Sequence, residues 1–507
     1  MVALLPALLL VLSNIGTPLH GSHLFRQAHV AANVETYLRD GISLHPRTYN
    51  QDVPLALFDF PAYQVVVAAA SRLSGEDPLV TARLLGALSL MLSLVCLSVL
   101  MARTGVPKAQ RALALVFFAY GSLNLFYFET PLVDILAEAA SFLSLLAFAT
   151  WNDTTEGSWW ALMVASGVVA TMIKNPVELP VFLATLWMRA RARGWRGLRS
   201  PGMLVYVAAV AAAVLVFKLY ANAVNGTPGL ISPWEEGQYF GSFGERLDPE
   251  TWRPILRTLS LLVLNPLTLI LAVGGALAWF LRSRSRRRAV FGGLLMGAFV
   301  TVLVFLNRYR VHNYYELPLA FPFAFFAAHG IQQIRVLGRA WRRRGRGAAG
   351  TLGSAAIVLS LVTTAFFAWR GYGELAGVDP TKQARGEWVR GVSSPNDFVL
   401  WVVGGDEDNW NPAFLYFAKR DGYNLNRRHL EAATIAALYH RFAAPNRRVL
   451  LFCSDREEAE RVESMGARPL VADKARRLYL VEPSWLMLTE GRPTQQARAA
   501  TGAGRPR

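Results

Sequence analysis

The chain has 507 residues, 53% of them hydrophobic and only 17% charged, with a mean hydropathy of +0.29. That balance excludes an ordinary soluble enzyme and predicts an α-helical polytopic membrane protein. The formal charge of +17 does not point to nucleic acid, because the excess lies in short connections between apolar runs and no groove-reading or base-stacking element accompanies it.

In chain order, the apolar runs near membrane-spanning length are Val2–Leu19, Leu84–Ala102, Ala112–Phe128, Leu132–Trp151, Trp159–Ile173, Pro176–Met188, Met203–Ala221, Ile255–Leu281, Ala289–Leu306, Tyr314–Ile334 and Thr351–Trp369, about eleven transmembrane helices. The first also fits a cleaved signal peptide, although it lacks a basic start. Between the runs, nineteen Arg and Lys residues fall in four connections, Arg103 to Arg111, Arg189 to Arg199, Arg282 to Arg288 and Arg335 to Arg346, none containing an acidic residue. Basic residues collect in cytoplasmic loops, so these four are assigned inside. The outside then receives residues 21–83, the tip at Lys174 and Asn175, residues 222–254, residues 307–313 and everything after Arg370. One connection disagrees: Asn152 to Ser158 is placed inside yet carries Asp153 and Glu156 with no base. Acidic residues weigh little in orientation.

The long first outer loop, residues 20–83, is patterned. Leu24, Ala28, Ala31, Val34 and Leu38 recur at helical spacing, which predicts a helix lying in the outer interface. Phe60 to Leu73 is apolar, but at about 1.5 Å per residue it is too short to span a core of roughly 30 Å, and it is read as a re-entrant or interfacial helix. Trp159–Ile173 and Pro176–Met188 form a pair of short segments turning at Lys174-Asn175-Pro176. A lysine beneath the membrane surface either faces a protein cavity, and is then a functional candidate, or snorkels to the interface.

Beyond Tyr372 the pattern changes to that of a soluble α/β unit. Asp397–Val403, Arg448–Cys453 and Leu478–Val481 read as strands, and Leu430–Phe442 and Asp455–Met465 as amphipathic helices. The domain expectation is therefore a transmembrane part over 1–370, an extracytoplasmic α/β domain over 371–489 and a disordered tail over 490–507. Cys96 and Cys453 lie in different regions, which argues against a disulfide between them. No internal repeat supports a transporter of inverted halves.

The runs HLFRQAHVAANVETYLRDG (His23 to Gly41), LFDFPAYQVVVAAASRLSG (Leu57 to Gly75) and TARLLGAL (Thr81 to Leu88) together resemble the first outer loop of GT-C type membrane glycosyltransferases, the superfamily of protein O-mannosyltransferases and lipid A aminoarabinose transferases. ETPLVDILAEAASFL (Glu129 to Leu143), MIKNPVELPVFL (Met172 to Leu183), RVHNYYELPLAFPFAFFAA (Arg310 to Ala328) and NPAFLYFAKRDGYNL (Asn411 to Leu425) follow in the same order. Each run is degenerate, and their order and spacing over about residues 1 to 430 carry the likeness. The resemblance implies a multi-pass enzyme of the cytoplasmic membrane that takes a sugar from a polyprenyl-phosphate donor, among membrane lipids, and gives it to a cell-envelope glycan, lipid or protein on the outer face.

Such chemistry requires cations for the phosphate and a carboxylate facing the acceptor. Where mannosyltransferase-like relatives carry an Asp-Glu pair, this chain has Arg26-Gln27, and where a subgroup with an Arg-Gln signature places Asp, it has His29. The departure leaves Asp59 as the matching carboxylate, read as base or sugar-binding group, with His29 as alternative base. Asp59 also fits a cap for the helix opening at Phe60 or Pro61. Lys174, Arg308, Arg310 and His312 are candidates for the donor phosphate. Asp134 and Glu138, one helical turn apart, are candidates for acceptor or sugar along with Arg26, Gln27, Tyr314 and Tyr315. Asp134 could also bind a metal or Lys174, or fit an internal ion pair with a basic group, and the tyrosines fit an interfacial belt. His20, His23, His29 and His45 share one loop without the Cys or tight His/Asp set of a zinc site, so a divalent metal has no ligand motif to support it. A degenerate, non-catalytic relative that binds envelope lipid or assists assembly is the competing reading.

Overall fold

In the computed structural model, residues 4–51, 59–225, 236–282, 289–343, 351–377, 380–404, 411–473 and 476–481 are described. They divide into two compact units, Met1–Ser22 with Leu57–Gly377, and His23–Ala56 with Val378–Arg507. The expected boundary at 370 kept the whole first outer loop with the transmembrane part; instead its first half belongs with the C-terminal unit. The expected tail over 490–507 lies outside the described residues.

The first unit is helical. Among the described residues, five helices are long and apolar enough to cross a membrane: Pro78–Arg103, Val133–Thr154, Gly157–Leu198, Pro201–Val224 and Leu352–Ala376. The protein is a multi-pass membrane protein. Several of the eleven expected spans take another form. Val2–Leu19 contains a helix of 9 residues, Leu5–Ser13. Ala112–Phe128 is divided between Lys108–Ala119 and Ser122–Tyr127, and Ala289–Val304 is a shorter apolar helix. Tyr314–Ile334 falls mostly within the helix Leu317–Arg343. Ile255–Leu281 is bent by 103° between Pro249–Val263 and Pro266–Leu281. The bend has a local cause. Asn265 and Thr268 exchange bonds, Thr268 N donating to Asn265 Oδ1 and Asn265 N to Thr268 Oγ1, both at 3.0 Å. Asn265 thus starts a new helix with Pro266 in its first turn, where a missing N–H is harmless.

The helix Gly157–Leu198 is interrupted at Lys174, whose backbone is extended (φ −159°, ψ 90°). Pro176 and Pro180 follow, each lacking the N–H that would continue the ladder. A straight helix would carry Arg189 about 48 Å from Gly157. Instead Arg189 Nη1 donates to Asn152 Oδ1 at 2.7 Å, and its guanidinium lies 4.7 Å from the Trp151 ring. The chain therefore rises to Lys174 and returns, forming the hairpin expected from the Lys-Asn-Pro turn. Both arms flank Val133–Thr154, with Ser144 Oγ donating to Met163 O at 3.1 Å.

The same geometry accounts for the acidic connection. Asp153 lies 3.9 Å from Arg103, and Arg193 donates to Asn152 O at 3.3 Å. The connections at Arg103, Asn152 and Arg189 thus share one end of the bundle, and Asp153 faces a basic cluster there. Close helix packing elsewhere depends on glycine: a Cβ on Gly275 would sit 2.0 Å from Phe326 O, and one on Gly330 2.3 Å from Leu271 O.

The second unit holds the helix Leu24–Asp40, as the spacing predicts, and a five-stranded sheet. The strands are β1 (Phe398–Val403), β2 (Gly422–Asn426), β3 (Val449–Cys453), β4 (Pro469–Asp473) and β5 (Arg476–Leu480), in the order β2-β1-β3-β5-β4. β1 is parallel to β2 and β3; β5 is antiparallel to β3 and β4. Leu400, Val402, Leu451 and Tyr479 meet Ile435 and Leu438 of the helix Ala432–Phe442 in the core. Residues of the first outer loop complete the β2 edge, Gly422 N donating to Tyr49 O at 2.8 Å and Gln51 N to Gly422 O at 2.7 Å. Glu35 on the Leu24–Asp40 helix takes a bond from Tyr49 Oη at 2.7 Å and pairs with Lys419. These contacts explain why the loop joins this unit. Cys96 and Cys453 are buried free thiols, one in each unit.

Candidate active site

Within the first unit the hairpin tip carries Lys174 into a buried acidic and aromatic setting. Its Nζ lies 2.9 Å from Asp59 Oδ1 and 4.0 Å from Asp134 Oδ1, with side-chain exposures of 7%, 4% and 0% for the three residues. The ammonium also lies 5.6 Å from the Tyr314 ring and 5.1 Å from that of Tyr315, within cation–π range. A buried ammonium held by two carboxylates and two ring faces is an internal ion pair, not a lysine reaching for the membrane surface. The helix beyond Asp59 starts at Ala62 with Pro61 at its cap, and the Asp59 carboxylate is engaged by Lys174.

Asp134 stands in the first turn of Val133–Thr154, where the helix dipole favours a negative charge. Its oxygens and those of Glu138, one turn further in and 1% exposed, make no hydrogen bond among the described residues. Asp59 and Asp134 flank Lys174, and Glu138 lies one turn beyond Asp134, leaving acceptor capacity for the hydroxyl groups of a ligand.

The aromatic side continues into the cationic one. His312 stacks on Tyr314 with ring centroids 5.3 Å apart, and Tyr314 is 5.0 Å from Tyr315. Arg308 Nη1 is 3.3 Å from His312 Nε2, and its guanidinium lies 3.9 Å from the Tyr239 ring. Tyr315 sits in the field of both Lys174 and Arg308. Arg310 is elsewhere: it pairs with Glu245 at 3.5 Å, and both are partly exposed.

Sequence reasoning did not single out Tyr239, Tyr127 or Glu316. Tyr127 hydroxyl bonds Asn313, and the buried Glu316 carboxylate makes no hydrogen bond among the described residues. The signal for Glu316 was available, since an acidic residue opening an apolar helix is costly to bury.

Arg26, Gln27 and His29 belong to the second unit, on the first turns of Leu24–Asp40. Burial, together with the Arg26 charge, pushes the His29 imidazole down to about 3. Both causes favour the neutral imidazole. Among the described residues no three His, Cys, Asp or Glu side chains form a group able to hold a metal ion.

No protein-family model matches the chain, and no curated protein sequence matches it. Solved structures do. ArnT from Cupriavidus metallidurans, solved bound to undecaprenyl phosphate, matches with a TM-score of 0.65 over 96% of this chain and 98% of its own, at 12% identity. The chain has the GT-C fold. The oligosaccharyltransferase of Archaeoglobus fulgidus in its apo form matches with a TM-score of 0.56, 12% identity, and coverage of 89% of this chain and 69% of its own. The mycobacterial arabinofuranosyltransferase AftD matches with a TM-score of 0.53, 14% identity, and coverage of 95% and 39%. At such identities the likeness establishes the GT-C architecture and leaves the chemistry to this chain's own residues.

Proposed function

We propose that the chain is a membrane glycosyltransferase that moves a sugar from a polyprenyl-phosphate donor to a cell-envelope glycan, lipid or protein at the outer face of the cytoplasmic membrane. The observation that carries this reading is the buried contact of Lys174 with Asp59, beside Asp134 and the Tyr314–Tyr315 pair, in a GT-C fold. Lys174, with Arg308 on the other side of the tyrosines, neutralises the phosphate; Asp59 accepts the proton of the acceptor; Asp134 and Glu138 bind sugar or acceptor hydroxyls. His312 and the two tyrosines wall the phosphate. Arg310, tied to Glu245, has no part in holding the donor.

The orientation rests on the four basic connections, which place the hairpin tip and the α/β unit outside. ArnT, solved with undecaprenyl phosphate, supports a lipid phosphate as the donor carrier.

A non-catalytic envelope-lipid-binding or assembly protein is favoured by one observation, the Arg26-Gln27 and His29 residues standing where acidic ones are expected. The two readings separate on radiolabelled polyprenyl-phosphate sugars supplied to membranes containing the full chain. The enzyme moves label into envelope material above membranes that lack it; absence of transfer from every donor, with the lipid phosphate still bound, leaves the binding protein.

A further inference from the structure

Lys174 is claimed twice. It is the ammonium nearest Asp59, at 2.9 Å, and it is also the buried cation placed to meet a donor phosphate along the Tyr314–Tyr315 faces. One ammonium cannot fully serve both, because a carboxylate and a phosphate drawn to the same point repel each other strongly where water is excluded. Asp134 Oδ1, at 4.0 Å, and a carboxylate without hydrogen bonds add to that negative charge.

We infer that Lys174 caps Asp59 until the lipid phosphate draws it away, so that the base is released only when the donor is in place and the acceptor reacts second. This rests on the reading of the site given above. Asp134 keeps the ammonium anchored as it swings, while Asp59, relieved of its partner, becomes the stronger proton acceptor. In the transfer step the acceptor oxygen forms a bond to the anomeric carbon and its proton passes to Asp59. The bond from that carbon to the phosphate oxygen breaks, and its electron pair leaves with the polyprenyl phosphate, whose added negative charge faces Lys174 and Arg308. Until a donor arrives, the capped carboxylate does not activate water or an acceptor unproductively.

Competition for one cation has a thermodynamic signature, read by binding of undecaprenyl phosphate to the purified full-length chain. Asp59→Asn should tighten binding about tenfold, since the phosphate no longer has to displace a carboxylate. Lys174→Met should weaken it at least about tenfold. In the Lys174→Met background Asp59→Asn should bring less than about a twofold gain. Thermal unfolding of each purified variant shows whether it is folded. If Asp59→Asn leaves binding unchanged or weaker, the competition does not exist. An equal gain in both backgrounds means simple repulsion between Asp59 and phosphate, which overturns the inference as well. Failure of the wild-type chain to bind undecaprenyl phosphate sinks the reading of the site itself, a separate and recognisable result.

Discussion

Lys174 and Asp59 are 115 residues apart in sequence and 2.9 Å apart in the fold, both nearly excluded from solvent. The pair is asymmetric, because Asp134 also faces the ammonium. Lys174→Met strips the counter-charge from two buried carboxylates and should destabilise the protein by about 3–5 kcal/mol. Asp59→Asn leaves Lys174 with Asp134 and should cost less. Thermal unfolding of the two purified variants gives the order, and the reverse order contradicts this arrangement.

Asn152 and Arg189 test the hairpin. With cysteine at both positions, a short bifunctional thiol reagent should link the intact chain, because the native side chains touch at 2.7 Å. A continuous straight helix from Gly157 would hold the sites apart by about 48 Å and give no link.

Gly274 and Gly275 are neighbours with opposite surroundings. A Cβ on Gly275 meets Phe326 O at 2.0 Å, whereas one on Gly274 meets nothing within 4 Å. Gly275→Ala should therefore destabilise by about 1–3 kcal/mol or more, and Gly274→Ala should stay within about 0.5 kcal/mol of wild type. Equal effects of the two would mean that the helices Pro266–Arg282 and Leu317–Arg343 do not cross here.

His20 offers a pH test. Its Nε2 lies 3.4 Å from Oε1 of the buried Glu129. The hydrogen bond to Glu129 raises the imidazole above its ordinary 6.5 despite burial. Because the folded value is the higher, the stabilisation is complete below about 6.5 and is lost as pH rises through the raised value. The stability difference between wild type and His20→Ala should accordingly be largest in mild acid and shrink towards alkaline pH. A difference that grows with pH would mean that neutral, not charged, His20 meets Glu129.

Much of this architecture is legible in the sequence, where local rules act alone. Val133–Thr154 matches the expected Leu132–Trp151 almost end to end, because an uninterrupted apolar run leaves few alternatives. Pro176 and a lone lysine in apolar surroundings announced the hairpin turn. The bend at Asn265 was missed because a hydropathy window averages across it, although the cap sequence Asn-Pro-Leu-Thr was there to read. β1 and β3 are fully buried runs and were found. β2, with its asparagines, and the exposed edge strand β4 were not.

The site was less legible than the spans. Lys174, Asp134, Tyr314 and Tyr315 could each be singled out by depth and residue type, but that Lys174 reaches Asp59 is a product of tertiary folding. The same holds for Glu35 and Lys419, 384 residues apart, whose pairing draws the first outer loop into the C-terminal unit. No periodicity encodes such contacts.

The proposed transfer depends on Asp59. With one radiolabelled polyprenyl-phosphate sugar that supports transfer by membranes carrying the wild-type chain, Asp59→Ala should abolish incorporation into envelope material while the protein remains in the membrane at wild-type level. Incorporation at the wild-type rate by Asp59→Ala would contradict it.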